Sequence, residues 1–198
     1  MGYSPREIDE DLAIREVVGG NVNAFAVLVE KYKHHVARIA SRHVPRDSVE
    51  DVAQESFVRA CRGLKGFDGR KPFEHWLSRI TVRCCCDYWR NKGNSRETPL
   101  SDMSEDGQMF LDRLTARMGR EEFDREAEKA EALKLLTWAL GKLGAEDRTV
   151  LTLTYLEGRS VAETADLMGI SVANVKVRSF RSRNKLRKLL ESAMEGVQ

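Results

Sequence analysis

Between Asn174 and Lys188 the chain carries seven basic residues, Lys176, Arg178, Arg181, Arg183, Lys185, Arg187 and Lys188, and no acidic one. That charge suits the neutralisation of phosphates, and Asn, Lys and Arg near the start of the run carry the donors and acceptors that read base edges in a major groove. On a helix of about 3.6 residues per turn, Val175, Ser179, Ser182 and Leu186 share one face. Ala173, Val177, Phe180, Arg181 and Asn184 take the opposite face, with Lys176 and Asn174 on its flanks. Just before this run, Ser160 with Glu163 forms a capping box ahead of Val161, Ala165, Leu167 and Met168; Gly169 supplies a turn and Ser171 a second cap. A short capped helix, a glycine turn and a longer basic helix make a helix-turn-helix.

Two further groupings carry chemistry. Glu50, Asp51, Gln54 and Glu55 lie away from much of the apolar stripe of their helix and can pair with a basic partner surface. The loop Leu64 to Pro72 offers Lys65, Phe67, Arg70 and Lys71, an aromatic ring among cations, which is what an unstacked base requires. Beyond it, His75, Arg79, Val82, Cys86, Trp89 and Arg90 project away from Phe73 and Ile80. Metal chemistry is disfavoured, because Cys84, Cys85 and Cys86 are consecutive and point about 100° apart on a helix. Cys84 is expected in the core and Cys86 partly exposed. His34 and His35 are adjacent and His43 sits at a helix end, and no P-loop, nucleophile elbow or paired-carboxylate pattern suggests catalysis.

The elements that must hold these groups are all helical. Phe25, Leu28, Val29, Tyr32, Val36, Ile39 and Ala40 recur at three-and-four spacing until Pro45. Ser48 with Asp51 reads as a capping box opening a helix with Val49, Val52, Ala53, Phe57, Ala60 and Leu64. Pro72 opens the next helix, whose stripe is Phe73, Trp76, Leu77, Ile80, Cys84 and Tyr88. From Gly93 to about Glu128 the chain is polar and acidic and reads as a flexible linker, its later part from Phe110 suitably spaced for a helix. A second apolar pattern starts at Leu133, Leu136, Trp138, Leu140 and Leu143 and resumes at Val150, Leu151, Leu153 and Tyr155. There TVLTLTYL is locally β-like, yet its helical context prevails. The expected architecture is all-α: a domain over 8–92, an acidic linker over 93–128, and a helix-turn-helix domain over 129–194.

Charge follows the same division. The whole chain of 198 residues has a net charge of only +2. By segment it is −3 over residues 1–57, +6 over 58–92, −5 over 93–128 and +4 over 129–198. Two basic blocks separated by an acidic one suit a chain that touches a polyanion at two places. The longest uncharged stretch, Val17 to Val29, is interrupted by Gly19, Gly20, Asn21 and Asn23, too short and too polar to span a bilayer. The acidic start MGYSPREIDEDL lacks the basic-then-apolar order of a secretory signal, and four unspaced cysteines suit reduced thiols; a cytoplasmic protein is expected.

Taken together, these motifs resemble a bacterial sigma factor of the extracytoplasmic-function (ECF) type, over about Asp11 to Lys92 and Lys134 to Leu190. EDVAQESFVRA resembles the family's core-polymerase-binding helix, FEHWLSRITVRCCCDYWRNK the helix that reads and melts the minus-ten element, and Ser160 to Leu186 the reader of the minus-thirty-five element. The resemblance implies RNA polymerase core as partner, through the clamp coiled coil of its largest subunit and its flap, by way of Asp51, Gln54, Glu55 and Phe57. It implies minus-ten contacts, single-stranded after melting, from Lys65, Phe67, Lys71, His75, Trp76, Arg79, Arg83 and Arg90. Minus-thirty-five duplex contacts fall to Ser171, Asn174, Lys176, Val177, Phe180, Arg181 and Arg183. It also implies an anti-sigma protein as regulator, no cofactor, no membrane insertion and no enzymatic activity.

This chain departs from the family pattern in places. Arg83 stands where Asn is usual, Cys84-Cys85-Cys86 where Leu-Ala-Leu is usual, and Leu143-Gly144 where Leu-Pro is common, which should loosen that turn. Asn174 replaces Thr and Ser179 a buried aliphatic, which predicts a changed upstream preference and a less apolar seat for the last helix. A helix-turn-helix regulator that works without polymerase is the competing reading, and a metal or redox enzyme the third. The N-terminal half separates them, since a simple regulator has no reason to pair an acidic helix with an aromatic, basic loop.

Overall fold

A computed structural model describes residues 10–94 and 135–195. Among these every regular element is helical: α1 (Glu10–Val18), α2 (Phe25–His43), α3 (Val49–Gly63), α4 (Phe73–Asn94), α5 (135–141), α6 (Ala145–Leu151), α7 (Val161–Met168) and α8 (Val172–Glu195). They form two compact units that divide between Cys85 and Cys86, inside α4 and ahead of the boundary expected at Lys92. The expected linker from Gly93, apart from the two residues that end α4, and the possible helix over Phe110 to Glu128 lie outside the described residues.

The first unit is built on α2, against which α1 and α3 pack. Phe25, Leu28, Tyr32, Val36 and Ala40 are buried at the spacing read from the sequence. The first four of these meet Ala60, Leu64, Phe73 and Leu77 in one core. Leu28 and Leu77 are fully buried, and truncating such a side chain to alanine costs about 2–5 kcal/mol. Residues before proline are pushed out of the helical region, so Val44 is extended (φ −129°, ψ 159°) and α2 ends there. The capping box expected at Ser48 does not form. A cap needs an extended backbone, whereas Ser48 has φ −103° and ψ −2°, because a 3-10 turn over Arg46–Ser48 runs straight into α3.

In the second unit two apolar clusters line the inner face of α8. Leu140, Leu143 and Leu151 pack with Leu186 and Leu189. Val150 and Ala165 pack with Val175. The β-like segment is helical, as its context required, but it is not regular: α6 gives way to a π-helical turn over Thr152–Leu156. Thr149 and Thr154 donate their hydroxyls to the carbonyls of Ala145 (2.8 Å) and Val150 (2.7 Å) one turn back, which satisfies the polar groups that branched residues bring into a helix. The capping box at Ser160 and Glu163 is complete, with Ser160 N–H donating to the carboxylate (2.9 Å) and Glu163 N–H to the hydroxyl (3.2 Å). Gly169 ends α7 with φ 69°, the left-handed conformation that glycine adopts without steric penalty. Gly144, expected to loosen its turn, has φ −63° and ψ 152°, ordinary extended geometry, and its carbonyl accepts from Arg148 (2.9 Å).

Candidate nucleic-acid interface

The helix α8 starts where the Ser171 hydroxyl accepts from the Asn174 N–H (3.1 Å). Its inner face carries Val175, Ser179 and Ser182, all buried, with Leu186 half-buried beside them. Ser171, Asn174, Lys176, Val177, Phe180, Arg181 and Arg183 are all exposed, so the seven expected upstream contacts lie on one solvent-facing helix. Arg178 is different. It is half-buried and donates to Asp147 (2.9 Å), while a second nitrogen lies 3.0 Å from Glu146. Its Nε also donates to the Asn174 side-chain oxygen (3.1 Å), which leaves the Asn174 amide donors for a ligand. One of the seven cations read from the sequence therefore fastens α8 to the start of α6. Arg183 is partly committed as well, with its guanidinium 5.6 Å from the centroid of the Tyr155 ring.

The acidic face of α3 is as the spacing required. Glu50, Asp51, Gln54 and Glu55 are exposed, with Gln54 donating to Glu50 (3.3 Å) and Arg59 to Glu55 (2.6 Å). Phe57 does not belong to that face. Its ring is half-buried and meets Phe25 edge-on at 6.4 Å, because helical spacing turns it toward α2. Val58, which sequence reasoning passed over, is 40% exposed in the middle of the face formed by Asp51, Gln54 and Glu55. An apolar residue among those polar positions at i, i+3, i+4 and i+7 was the available signal.

Around α4 the arrangement differs more from expectation. Lys65, Arg70 and Lys71 are exposed on the loop, and Gly69 (φ 68°) turns it so that the Asp68 carboxylate accepts from the Arg70 N–H (3.0 Å). Phe67 stands partly open, edge-on to Phe73 (5.6 Å) and tilted against Trp76 (5.4 Å), and Trp76 itself packs against the core. His75 and Arg79 are half-buried, His75 with Lys71 3.4 Å away, and Arg83 is exposed. His35 ties α2 to this helix, 3.1 Å from Glu74 and 2.8 Å from Ser78.

Val82 and Cys86, expected on the outer face, are buried. A stretch of small side chains explains this: Ser78, Thr81, Cys84 and Cys85 are buried too, so from Leu77 to Cys86 the helix is enclosed on most sides. Ser78 and Thr81 donate to the carbonyls of Glu74 (2.7 Å) and Leu77 (3.0 Å), which lets polar residues sit there. Burial pushes the Cys86 thiol above its ordinary value, opposed by a hydrogen bond from Thr149 and by the charge of Arg90. That is the reverse of an activated thiolate. At the end of α4, Arg90 donates to Asp87 (2.6 Å) and Glu146 (2.9 Å), and Trp89 lies under the Arg148 guanidinium, 3.6 Å from its ring centroid. Burial lowers the Arg148 pKa to about 10, still charged at neutral pH. No group of three metal-ligating side chains occurs among the described residues, and all four cysteines are unbridged.

Comparison with known proteins bears on both halves of the chain. Residues 28–95 match the family Sigma-70 region 2, and residues 133–186 match Sigma-70, region 4. The chain is 30% identical to the ECF RNA polymerase sigma-E factor of Haemophilus influenzae over 95% of its own length and 98% of that protein's. It is 31% identical to the Escherichia coli K12 protein of the same name, over 91% and 93% of the two chains. Among solved structures it is similar to CnrH in complex with the cytosolic domain of CnrY, at 30% identity, 94% and 99% coverage and a TM-score of 0.49.

Proposed function

The chain belongs to the ECF group of sigma-70 family sigma factors, and we propose that it does this family's work with the surfaces described above. It binds RNA polymerase core and directs it to start transcription at specific promoters. The observation that carries the assignment of surfaces is one chain presenting an exposed acidic helix face and, separately, an exposed helix whose outer face bears only neutral and basic side chains from Val172 to Lys188.

On this reading Asp51, Gln54 and Glu55, with Val58 in place of Phe57, meet the basic clamp coiled coil of the largest polymerase subunit. Their charges govern orientation and rate of encounter more than affinity. The helix α8 enters the major groove of the minus-thirty-five element. Lys176, Lys185, Arg187 and Lys188 neutralise phosphates, and Asn174 and Arg181 meet base edges. Lys65, Lys71, Arg79 and Arg83 hold the backbone of the melted minus-ten strand, and the open part of Phe67 supplies a stacking surface for an unpaired base. Trp76 supports that ring from below and His75 positions Lys71, and neither needs to touch DNA. Two working domains over 8–92 and 129–194, tethered by the acidic segment between them, allow both elements to be engaged at once. The protein itself catalyses no step and acts in the cytoplasm, where an anti-sigma protein silences it by covering these surfaces.

The test is assembly. Full-length protein mixed with purified core polymerase should elute with it as one complex in gel filtration. Tight binding to duplex DNA by the protein alone, with no co-elution, would make it a stand-alone regulator instead.

A further inference from the structure

All three nitrogens of the Arg178 guanidinium are engaged. One donates to Asp147 (2.9 Å), the second lies 3.0 Å from Glu146, and Nε donates to the side-chain oxygen of Asn174 (3.1 Å). Two carboxylates from the first turn of α6 thus fix the plane of a group that in turn holds one atom of Asn174, a turn earlier on α8. The backbone N–H of Asn174 is tied as well, to the Ser171 hydroxyl (3.1 Å). Asn174 is exposed, yet it is held by both its backbone and its side chain.

Arginine carries donors and no acceptor, so the Asn174 atom facing Nε has to be the oxygen. An unrestrained asparagine can turn its amide and offer a ligand an acceptor, a donor or both. With its oxygen held by a cation, Asn174 offers its N–H groups, and the neighbouring positive charge strengthens them as donors. Bases divide on this point in the major groove: guanine O6 and thymine O4 accept, whereas adenine N6 and cytosine N4 donate. The paired grip of asparagine on adenine needs the amide oxygen and nitrogen together, and here the oxygen is taken. Resting on the sigma-factor reading above, we propose that Arg178 is a positioning residue for sequence choice. Braced by Glu146 and Asp147, it makes Asn174 select a keto base, guanine or thymine, and reject adenine and cytosine at one base pair of the upstream element. Arg178 itself touches no base. Through it, two carboxylates on α6, off the exposed face of α8, take part in the choice of promoter.

The test uses holoenzyme, the full chain with core polymerase, and promoters selected from duplexes with a randomised upstream region. Asn174→Ala marks the base pair concerned, as the one position where base preference flattens while the others keep theirs. The wild type should prefer guanine or thymine there over adenine by about tenfold, within the range of one discriminating base contact. Arg178→Ala frees the amide and should bring adenine level with them, with preference elsewhere unchanged. Asp147→Asn, which loosens the guanidinium without altering α8, should shift the same position in the same direction by a smaller factor. Circular dichroism checks that both variants fold. A merely structural tie would lower activity on all templates equally and leave the profile at that position as in the wild type; that result overturns the proposal and leaves the sigma reading intact. A wild-type preference for adenine or cytosine there, or no position flattened by Asn174→Ala, overturns it as well. Failure of the holoenzyme to select any promoter would instead count against the sigma reading itself.

Discussion

At the scale of single residues, two arginines one turn apart on α8 have opposite jobs. Arg181 is exposed, whereas Arg178 is held by Asp147 and Glu146. Arg181→Ala should reduce discrimination between the cognate upstream element and a scrambled one by about 1–3 kcal/mol. Arg178→Ala should reduce discrimination less than Arg181→Ala, only through the lost hold on the Asn174 oxygen, and lower the unfolding free energy by up to about 1 kcal/mol, because its ion pairs are partly open to solvent. Competition binding and chemical denaturation of both variants check this, and equal loss on all sequences would demote Arg181 to a phosphate contact. Asp51→Arg belongs here too. It should weaken core binding while leaving the circular dichroism spectrum unchanged, and unaltered affinity would remove α3 from the interface. The polar positions of α3 and α8 were legible in the sequence because periodicity alone assigns them to a face. Phe57 was not, since an aromatic residue suits an interface and a core equally; only the edge-on contact with Phe25 decides it.

At the scale of elements, a local sequence signal succeeded where the backbone could obey it. Ser160 and Ser48 carry the same pattern, but only Ser160 has the extended backbone (φ −63°, ψ 158°) that lets its hydroxyl reach the third residue on. Hydrogen bonds from the Ser160 hydroxyl and backbone, in that order, lower the Glu163 pKa. A carboxylate stabilised in this way keeps the box whole above its unfolded pKa and releases it as the pH falls through the lowered folded value. An NMR titration of the Glu163 side-chain carbon should thus show its midpoint below the usual glutamate value, and a midpoint at that value would contradict the box as described. The helix α4 was the least legible element. Its pattern gives one buried stripe, but the small residues from Ser78 to Cys86 bury almost every side, so the outer face expected at Val82 and Cys86 is absent. Side-chain size, and not hydropathy, was the missed signal: serine, threonine and cysteine permit close approach from any direction.

At the scale of the whole molecule, a chain with a net charge of +2 presents acidic and basic surfaces in separate places. The all-helical class and the two-part organisation followed from periodicity and from the polar break between the halves, whereas the place where the units divide, within α4, depends on packing that no local pattern encodes. On the proposed function, that separation lets one surface hold the polymerase core while others hold an anionic template. The most direct test is run-off transcription. Core polymerase with this protein, on a promoter selected by the assembled complex, should yield transcripts from one defined start that core alone does not produce. Identical transcripts with and without the protein would contradict the account at its centre.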